Sequence, residues 1–284
     1  MVSHKSKQIF RILFWNCGGC LQSRIRVNPE LRDLFLTTPH IFVFAESLLY
    51  RKAKPIVPNY FTISHTARKK TCRRGIVIYY SSKIQYQLTK DFASQKFDII
   101  WLRLRLKSKD QIYCFFYAPG ANRSDEEVTS FYDDLRKGYQ RYQIEDIFMI
   151  GDSNARLGSF SSDTDVHGKL TTNKNRPHFM GFLSFSGLKY VNNIFAKGVP
   201  TYEIKGSKKS IIDVCLTNAL NEVRDFAILP NIMGVNPQTC HRVLELTMSQ
   251  PVDFQKRNAT KCPKLPKFRF CTPEVLEKIK NWVS

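Results

Sequence analysis

Short apolar runs rich in β-branched and aromatic residues recur along most of this chain, and they constrain its fold more than any other feature. They lie at Ile9 to Trp15, Ile41 to Ala45, Gly75 to Tyr80, Ile99 to Leu106, Ile112 to Tyr117, Ile147 to Ile150, Ser210 to Leu216 and Val243 to Thr247. Each has the length and composition of a strand. Trp101-Leu102-Arg103-Leu104-Arg105-Leu106 alternates apolar and basic residues, the pattern of a strand with one face in water. Helices are predicted at Asn28 to Leu36, Asp125 to Tyr142 and Arg176 to Ser186. The second has Ser124 as its N-cap and acids at Asp125, Glu126 and Glu127, where the helix dipole favours negative charge. Many strands with interspersed helices predict an α/β chain of two packed sheets flanked by helices. There is no internal repeat and no interior linker. After about Ser249, Pro251, Pro263, Pro266, Pro273 and clustered Lys/Arg mark a basic tail, so the reading is one domain over 9–249 and a tail over 250–284.

The run Ile147-Phe148-Met149-Ile150-Gly151-Asp152-Ser153-Asn154-Ala155-Arg156 carries the most chemistry. A buried strand ends in glycine, then in an acid and an amide with one residue between them. In extended geometry residues i and i+2 project to the same side, which would bring Asp152 and Asn154 together at the strand's mouth. A carboxylate can take a proton from water and an amide can hold a phosphate. Taken alone, the same residues also read as an ordinary turn.

Charge and cysteine usage narrow the function classes. Among 284 residues, 44 Lys+Arg face 24 Asp+Glu, a net charge of +20, which draws the protein toward polyanions. Nucleic acid is the leading partner and an anionic membrane surface the alternative. A hydrophobic content of 43% with 21 Phe argues against disorder. The 8 cysteines are scattered, several within apolar runs, and read as buried hydrophobes of a reducing compartment. Cys17-Gly18-Gly19-Cys20 has redox or metal-pair spacing, but no second such pair stands near it. No apolar run is long enough for a membrane span and no secretory signal is evident, so an intracellular protein is expected.

Polar residues then recur where apolar strands end. Asn16 follows Phe14-Trp15, Glu46 follows Phe42-Val43-Phe44-Ala45, and Tyr117-Ala118-Pro119-Gly120 closes another strand. Asp152-Ser153-Asn154 closes the next, a later strand contains Ile211-Ile212-Asp213, and Thr239-Cys240-His241 precedes the last apolar strand. Polar groups gathered at strand mouths suit a metal-assisted phosphodiesterase.

In order and spacing, WNC, FAES, FYAPG, GDSN, IIDV and TCH resemble the motifs of the endonuclease/exonuclease/phosphatase family, which includes abasic-site endonucleases and DNase I-like nucleases. The likeness spans Ile9 to Met248. Gly187 to Asn192, Pro200-Thr201-Tyr202 and Ser210 to Asp213 look most like the endonuclease domain of non-LTR (LINE-type) retrotransposons, and Lys267-Phe268-Arg269-Phe270 with a short helix ending at Trp282 looks like the segment leading to a reverse transcriptase. The resemblance implies a four-layered DNase I-like sandwich and a Mg²⁺-dependent (or Mn²⁺-dependent) endonuclease that nicks DNA to prime reverse transcription, acting in the nucleus if on chromosomal DNA. It implies Glu46 as metal ligand with Asn16 beside it. Asp152 would activate water, and Asn154 would hold that water or the phosphate. Asp213 would orient His241, His241 and Tyr117 would meet the phosphate, and Asn192 and Thr201 would line the site.

One position departs from that pattern. The family usually carries an acid immediately before the last histidine, and Cys240 stands there; a soft thiol is a poor Mg²⁺ ligand, so impaired or metal-demanding catalysis is expected. Basic clusters fit a DNA ligand: Arg68-Lys69-Lys70, Arg73-Arg74, Arg156 beside the GDSN motif, and Lys205, Lys208 and Lys209 in a hairpin before Ile211. Two other readings of the fold remain: a catalytically impaired DNA binder, and a phosphatase of inositol lipids or sphingomyelin.

Overall fold

In a computed structural model of the protein, the described residues are 9–19, 21, 33–35, 37, 39–48, 55–66, 75–84, 87–106, 109–163, 169–203, 209–230 and 240–249. The expected tail and its helix, the Arg68 to Arg74 cluster, Lys205, Lys208 and Cys20 lie outside them. Of the helix expected from Asn28 to Leu36, only 33–35 are described, and these are helical.

The strands are β1 (Phe10–Asn16), β2 (Ile41–Ala45), β3 (Tyr60–His65), β4 (Ile76–Ser81), β5 (Leu88–Ala93), β6 (Asp98–Leu104) and β7 (Gln111–Tyr117), followed by β8 (Asp146–Asp152), β9 (Lys189–Tyr190), β10 (Tyr202–Glu203), β11 (Lys209–Ser210), β12 (Asp213–Thr217), β13 (Val223–Ile228) and β14 (Leu244–Met248). The helices are α1 (Asp125–Gln140), α2 (Asn175–Ser186) and α3 (Val191–Phe195). One six-stranded sheet has the order β13-β14-β1-β2-β4-β3, the other β5-β6-β7-β8-β12-β9, and β10-β11 form a separate hairpin. Both large sheets are mixed: β1 runs parallel to β2 and β7 parallel to β8, while the remaining neighbours are antiparallel.

Strand alternation sorts the side chains into three apolar layers. Leu13, Trp15, Phe42, Phe44, Val77 and Tyr79 pack on the outer face of the first sheet. Ile147, Met149, Val214 and Leu216 face outward from the second, under Val128, Phe131 and Leu135 of α1 and Phe179 and Phe182 of α2. Alternate residues therefore fill the gap between the sheets, where Phe10 meets Tyr113 at 6.1 Å between ring centroids and Tyr113 stacks on Phe148 at 5.4 Å. By the same parity Asn16, Asp152 and Asp213 sit on inner faces. The parallel pairing of β1 with β2 and of β7 with β8 brings their carboxyl ends to one edge, and Asp152 is directly opposite Asp213.

α1 starts as its sequence predicts, with the Ser124 side chain accepting the Glu127 N–H. The alternation of β6 misleads, however. Its expected wet face is covered by α1, where Trp101 packs among Val128, Phe131 and Leu135, and only Arg103 reaches the rim. There Arg103 binds Asp91, Asp110 and Glu145 and exposed Arg105 follows the strand, so charges confined to its end imitate a solvated face. The strands β3, β5 and β13 were not evident in the sequence, because their polar and half-exposed residues blur both periodicities.

Candidate active site

Four strand ends and one loop meet at the edge of the gap. The Asn16 amide donates to Asp152 Oδ2 at 2.9 Å and reaches Glu46 Oε1 at 3.5 Å, while its oxygen accepts the Gly18 N–H at 3.0 Å. Asn16 thus ties two carboxylates from opposite sheets. His241 Nδ1 lies 2.8 Å from Asp213 Oδ2, and His241 Nε2 faces Asp152 Oδ2 at 4.0 Å. The Trp15 indole N–H holds the His241 carbonyl at 3.1 Å. Glu46 is half-buried and takes a left-handed backbone, φ 49°, sparsely populated for a non-glycine residue and here fixed because its neighbours Ala45 and Ser47 are bonded to Cys17 and Gly75.

Asp152 and Asn154 do not project together as two residues of an extended strand. β8 ends at Asp152, and Asn154 turns left-handed at φ 48°, with its N–H on Asp152 Oδ1 at 2.7 Å and its side-chain amide on the Ala118 carbonyl at 2.8 Å. Asn173 and Asn175 both donate to the Asn154 carbonyl, at 2.8 and 3.1 Å. The segment is a turn and also part of the cluster; the two sequence readings were not exclusive. Gly151 is required beside it, since a Cβ there would stand 2.3 Å from the Phe116 carbonyl oxygen.

The remaining predicted residues divide into those at the cleft and those behind it. Tyr117 is half-buried in register with Asp152. Asn192 and Thr201 are buried. Asn192 donates to the Asp213 carbonyl at 3.0 Å and accepts the Cys215 N–H at 2.9 Å, whereas Thr201 Oγ1 accepts the Ile212 and Asp213 N–H groups at 3.1 and 3.0 Å. They brace the strand that carries Asp213 instead of lining the site. Arg156 is half-exposed with its N–H on Asn173. Lys209 is exposed and paired with Glu203 at 3.3 Å. Cys240 is half-buried beside Tyr202, and its carbonyl accepts the Glu203 N–H at 2.8 Å. Cys17 points its thiol at the Ala45 carbonyl, 3.2 Å away, as a buried donor with no metal-pair geometry among the described residues.

Electrostatics separates the two acids around the histidine. Burial, with the neighbouring Asp213 charge, raises Asp152 to about 7, against opposing pulls from His241 and the Asn154 and Asn16 hydrogen bonds. Burial alone would depress His241, but the charge and hydrogen bond of Asp213, then Asp152 and Glu46, carry it up to about 9. At neutral pH His241 is therefore an imidazolium next to a carboxylate poised to gain or lose a proton. Asp213 Oδ1 is buried without a hydrogen-bond partner, so Asp213 spends its charge chiefly on the histidine.

Asp163 is a residue that sequence reasoning missed. It is 1% exposed, yet it stands in Ser161-Ser162-Asp163-Thr164-Asp165, a composition that signals only a loop. A regular strand or motif signal would have been needed to find it, and none is present.

No known family pattern and no curated protein matches the sequence. Solved structures do match. The chain is similar to the endonuclease domain of TRAS1, a telomere-specific non-LTR retrotransposon, with a TM-score of 0.62 at 16% identity over 85% of this chain and 99% of that one. It is similar to the 3′ phosphatase NExo from Neisseria, solved bound to a product DNA hairpin, with a TM-score of 0.63 at 14% identity over 84% and 98% of the two chains. It also resembles an AP endonuclease from Archaeoglobus fulgidus, with a TM-score of 0.62 at 13% identity over 84% and 98%. The two mixed sheets, their flanking helices and these likenesses together establish that the chain has the endonuclease/exonuclease/phosphatase fold.

Proposed function

We propose that the protein is a metal-dependent phosphodiesterase that nicks DNA. The observation that carries this reading is the meeting of Asn16, Asp152, Asp213 and His241 in one cleft beside Glu46, although their partners lie up to 136 residues apart in sequence for the Asn16–Asp152 bond. Asp152 takes the proton of the attacking water as its oxygen bonds to phosphorus. The P–O bond to the leaving oxygen breaks with its electron pair going to that oxygen, which takes a proton from solvent, while His241 Nε2 donates a hydrogen bond to the phosphate oxygen on which negative charge builds. Asp213 holds the imidazolium in place and stabilises its charge. Asn154 and Tyr117 stand at the mouth of the cleft, where they orient the substrate.

A hard divalent cation suits Glu46. Its half-buried carboxylate accepts one long hydrogen bond, from Asn16 at 3.5 Å, and lies near enough to His241 to help raise it, so it offers hard oxygen to a cation at the site. Asp152, Asp213 and His241 also present ligand atoms within 4.8 Å of one another. Two of those atoms are already bonded across the Asp213–His241 contact, which favours proton chemistry for that trio. When bound at Glu46, with Asn16 beside it, Mg²⁺ or Mn²⁺ supplies positive charge against the phosphate.

DNA as substrate is supported by the net charge, by exposed Lys209 and half-exposed Arg156 on the described surface, and by a fold shared with a protein solved on a DNA hairpin. Among the described residues no helix is long and apolar enough to cross a membrane. The finer reading, a nick that primes reverse transcription of a mobile element by a domain beyond this one, rests on the motifs from Gly187 to Asp213 and on the fold shared with a retrotransposon endonuclease. Supercoiled plasmid with Mg²⁺ tests the proposal. Conversion to nicked circles supports it, salt-sensitive retention without nicking indicates a DNA binder, and phosphate release from inositol lipid or sphingomyelin head groups indicates a lipid phosphatase.

Cys240 offers a sharper test of the metal. Cys240→Asp places a hard oxygen next to His241, and the Mg²⁺ concentration for half-maximal nicking should fall by about tenfold or more. Saturating Mg²⁺ should narrow the difference between the two proteins. An unchanged metal dependence would remove Cys240 from the metal side of the cleft.

A further inference from the structure

A buried carboxylate outside the cleft joins two of the segments that build it. Asp163 Oδ2 accepts the Leu157 N–H at 2.7 Å and the Ser161 hydroxyl, and Oδ1 accepts the Ile211 N–H at 2.6 Å. Leu157 lies three residues after Asn154, and Ile211 lies two before Asp213. The Asp163 carbonyl also accepts the Thr171 N–H at 2.9 Å. All of these partners are neutral, and among the described residues no cation pairs with the carboxylate. Such a group is costly to bury unless its oxygens are filled, and here three donors fill them.

The strands these segments adjoin are also paired, β8 with β12, with Asp152 opposite Asp213. The Ile212 carbonyl accepts both the N–H and the hydroxyl of Ser153, each at 2.8 Å. Ser153 and Asp163 thus add bonds to Ile212 and Ile211, the two residues that lead into Asp213 at the start of β12. Thr201 and Asn192 restrain the same strand only from its other flank.

We infer that Asp163 is a positioning residue: its carboxylate ties the loop after the Asn154 turn to the segment that leads into Asp213, and thereby steadies Asp213 and the orientation of the His241 ring. The inference rests on the proposed phosphodiesterase reading for its effect on rate, but not for its effect on the ring. Asp163→Asn keeps the size of the side chain and removes one acceptor. Whichever way the amide turns, an N–H donor then faces another donor, and one of the two segments is released.

The experiment uses the full chain with Asp163→Asn, the milder Asp163→Glu, which keeps the charge but displaces it by one methylene, and Leu135→Ala in the α1 core as a destabilised control. The readouts are thermal unfolding, DNA affinity, single-turnover nicking, and the imidazole nitrogen–proton correlation of His241, assigned by its loss in His241→Ala. Both Asp163 variants are expected to shift that correlation, while Leu135→Ala leaves it at the parent position. Nicking by Asp163→Asn should fall about 10- to 100-fold at nearly unchanged DNA affinity. A parent-like correlation in both Asp163 variants, or an equal shift in Leu135→Ala, overturns the inference. If the correlation shifts as expected but even the parent cuts no DNA, the positioning role stands and the proposed function fails.

Discussion

His241→Ala is expected to lower nicking by about 10³-fold or more while DNA affinity changes by no more than a few-fold. The imidazolium is built for one task. It is buried, its Nδ1 is committed to Asp213 at 2.8 Å, and its Nε2 alone faces the cleft. Phosphate charge rises most in the transition state, so a donor fixed there acts on the rate more than on ground-state binding. The measurement is single-turnover nicking beside equilibrium binding at fixed salt, because dispersed Lys and Arg make affinity salt-dependent. Equal rates for variant and parent would remove His241 from the reaction.

Asp152→Asn is the second large effect, a loss of about 10²- to 10⁴-fold. The amide retains the shape and part of the hydrogen bonding to Asn16 and Asn154 but cannot take a proton. The pH profile of the parent identifies this role independently. Activity needs Asp152 ionised and His241 protonated, so the rate should rise with pH through about 7 and fall through about 9, a bell that belongs to the coupled Asp152–Asp213–His241 group. In Asp152→Asn the residual activity should lose the acidic limb and keep the alkaline one. An acidic limb that survives the substitution would assign it to another group.

The parts of this arrangement that could be seen in the sequence are those where an apolar run stops abruptly at a polar residue. β1, β2, β7 and β8 are almost wholly buried, so their sequences are uninterrupted and their ends are sharp. Asn16, Glu46 and Asp152 stand out for that reason, Asp213 and His241 stand beside the start of an apolar run, and the structure brings all five together. What could not be seen depends on contacts made across the fold. Thr201 and Asn192 look like site residues in sequence because they border the right motifs, yet their side chains are spent on the backbone of β12. Asp163 looks like loop composition because its donors come from 157, 161 and 211. The face of β6 read as wet because the helix that covers it is supplied by a later segment.

The mixed pairing of the two sheets has a consequence for how the protein comes to life. Asn16 comes from the first sheet and Asp152 from the second, and the bond between them closes only when the two sheets dock. His241 arrives last along the chain and is secured to β1 by Trp15, 226 residues away. Among the described residues, each sheet alone carries only part of the cluster. Pairings this distant are slow to form, since the loops between them must be closed before any contact rewards the closure. On the proposed reading, the cluster is therefore complete only once both sheets have docked and the segment carrying His241 has joined them.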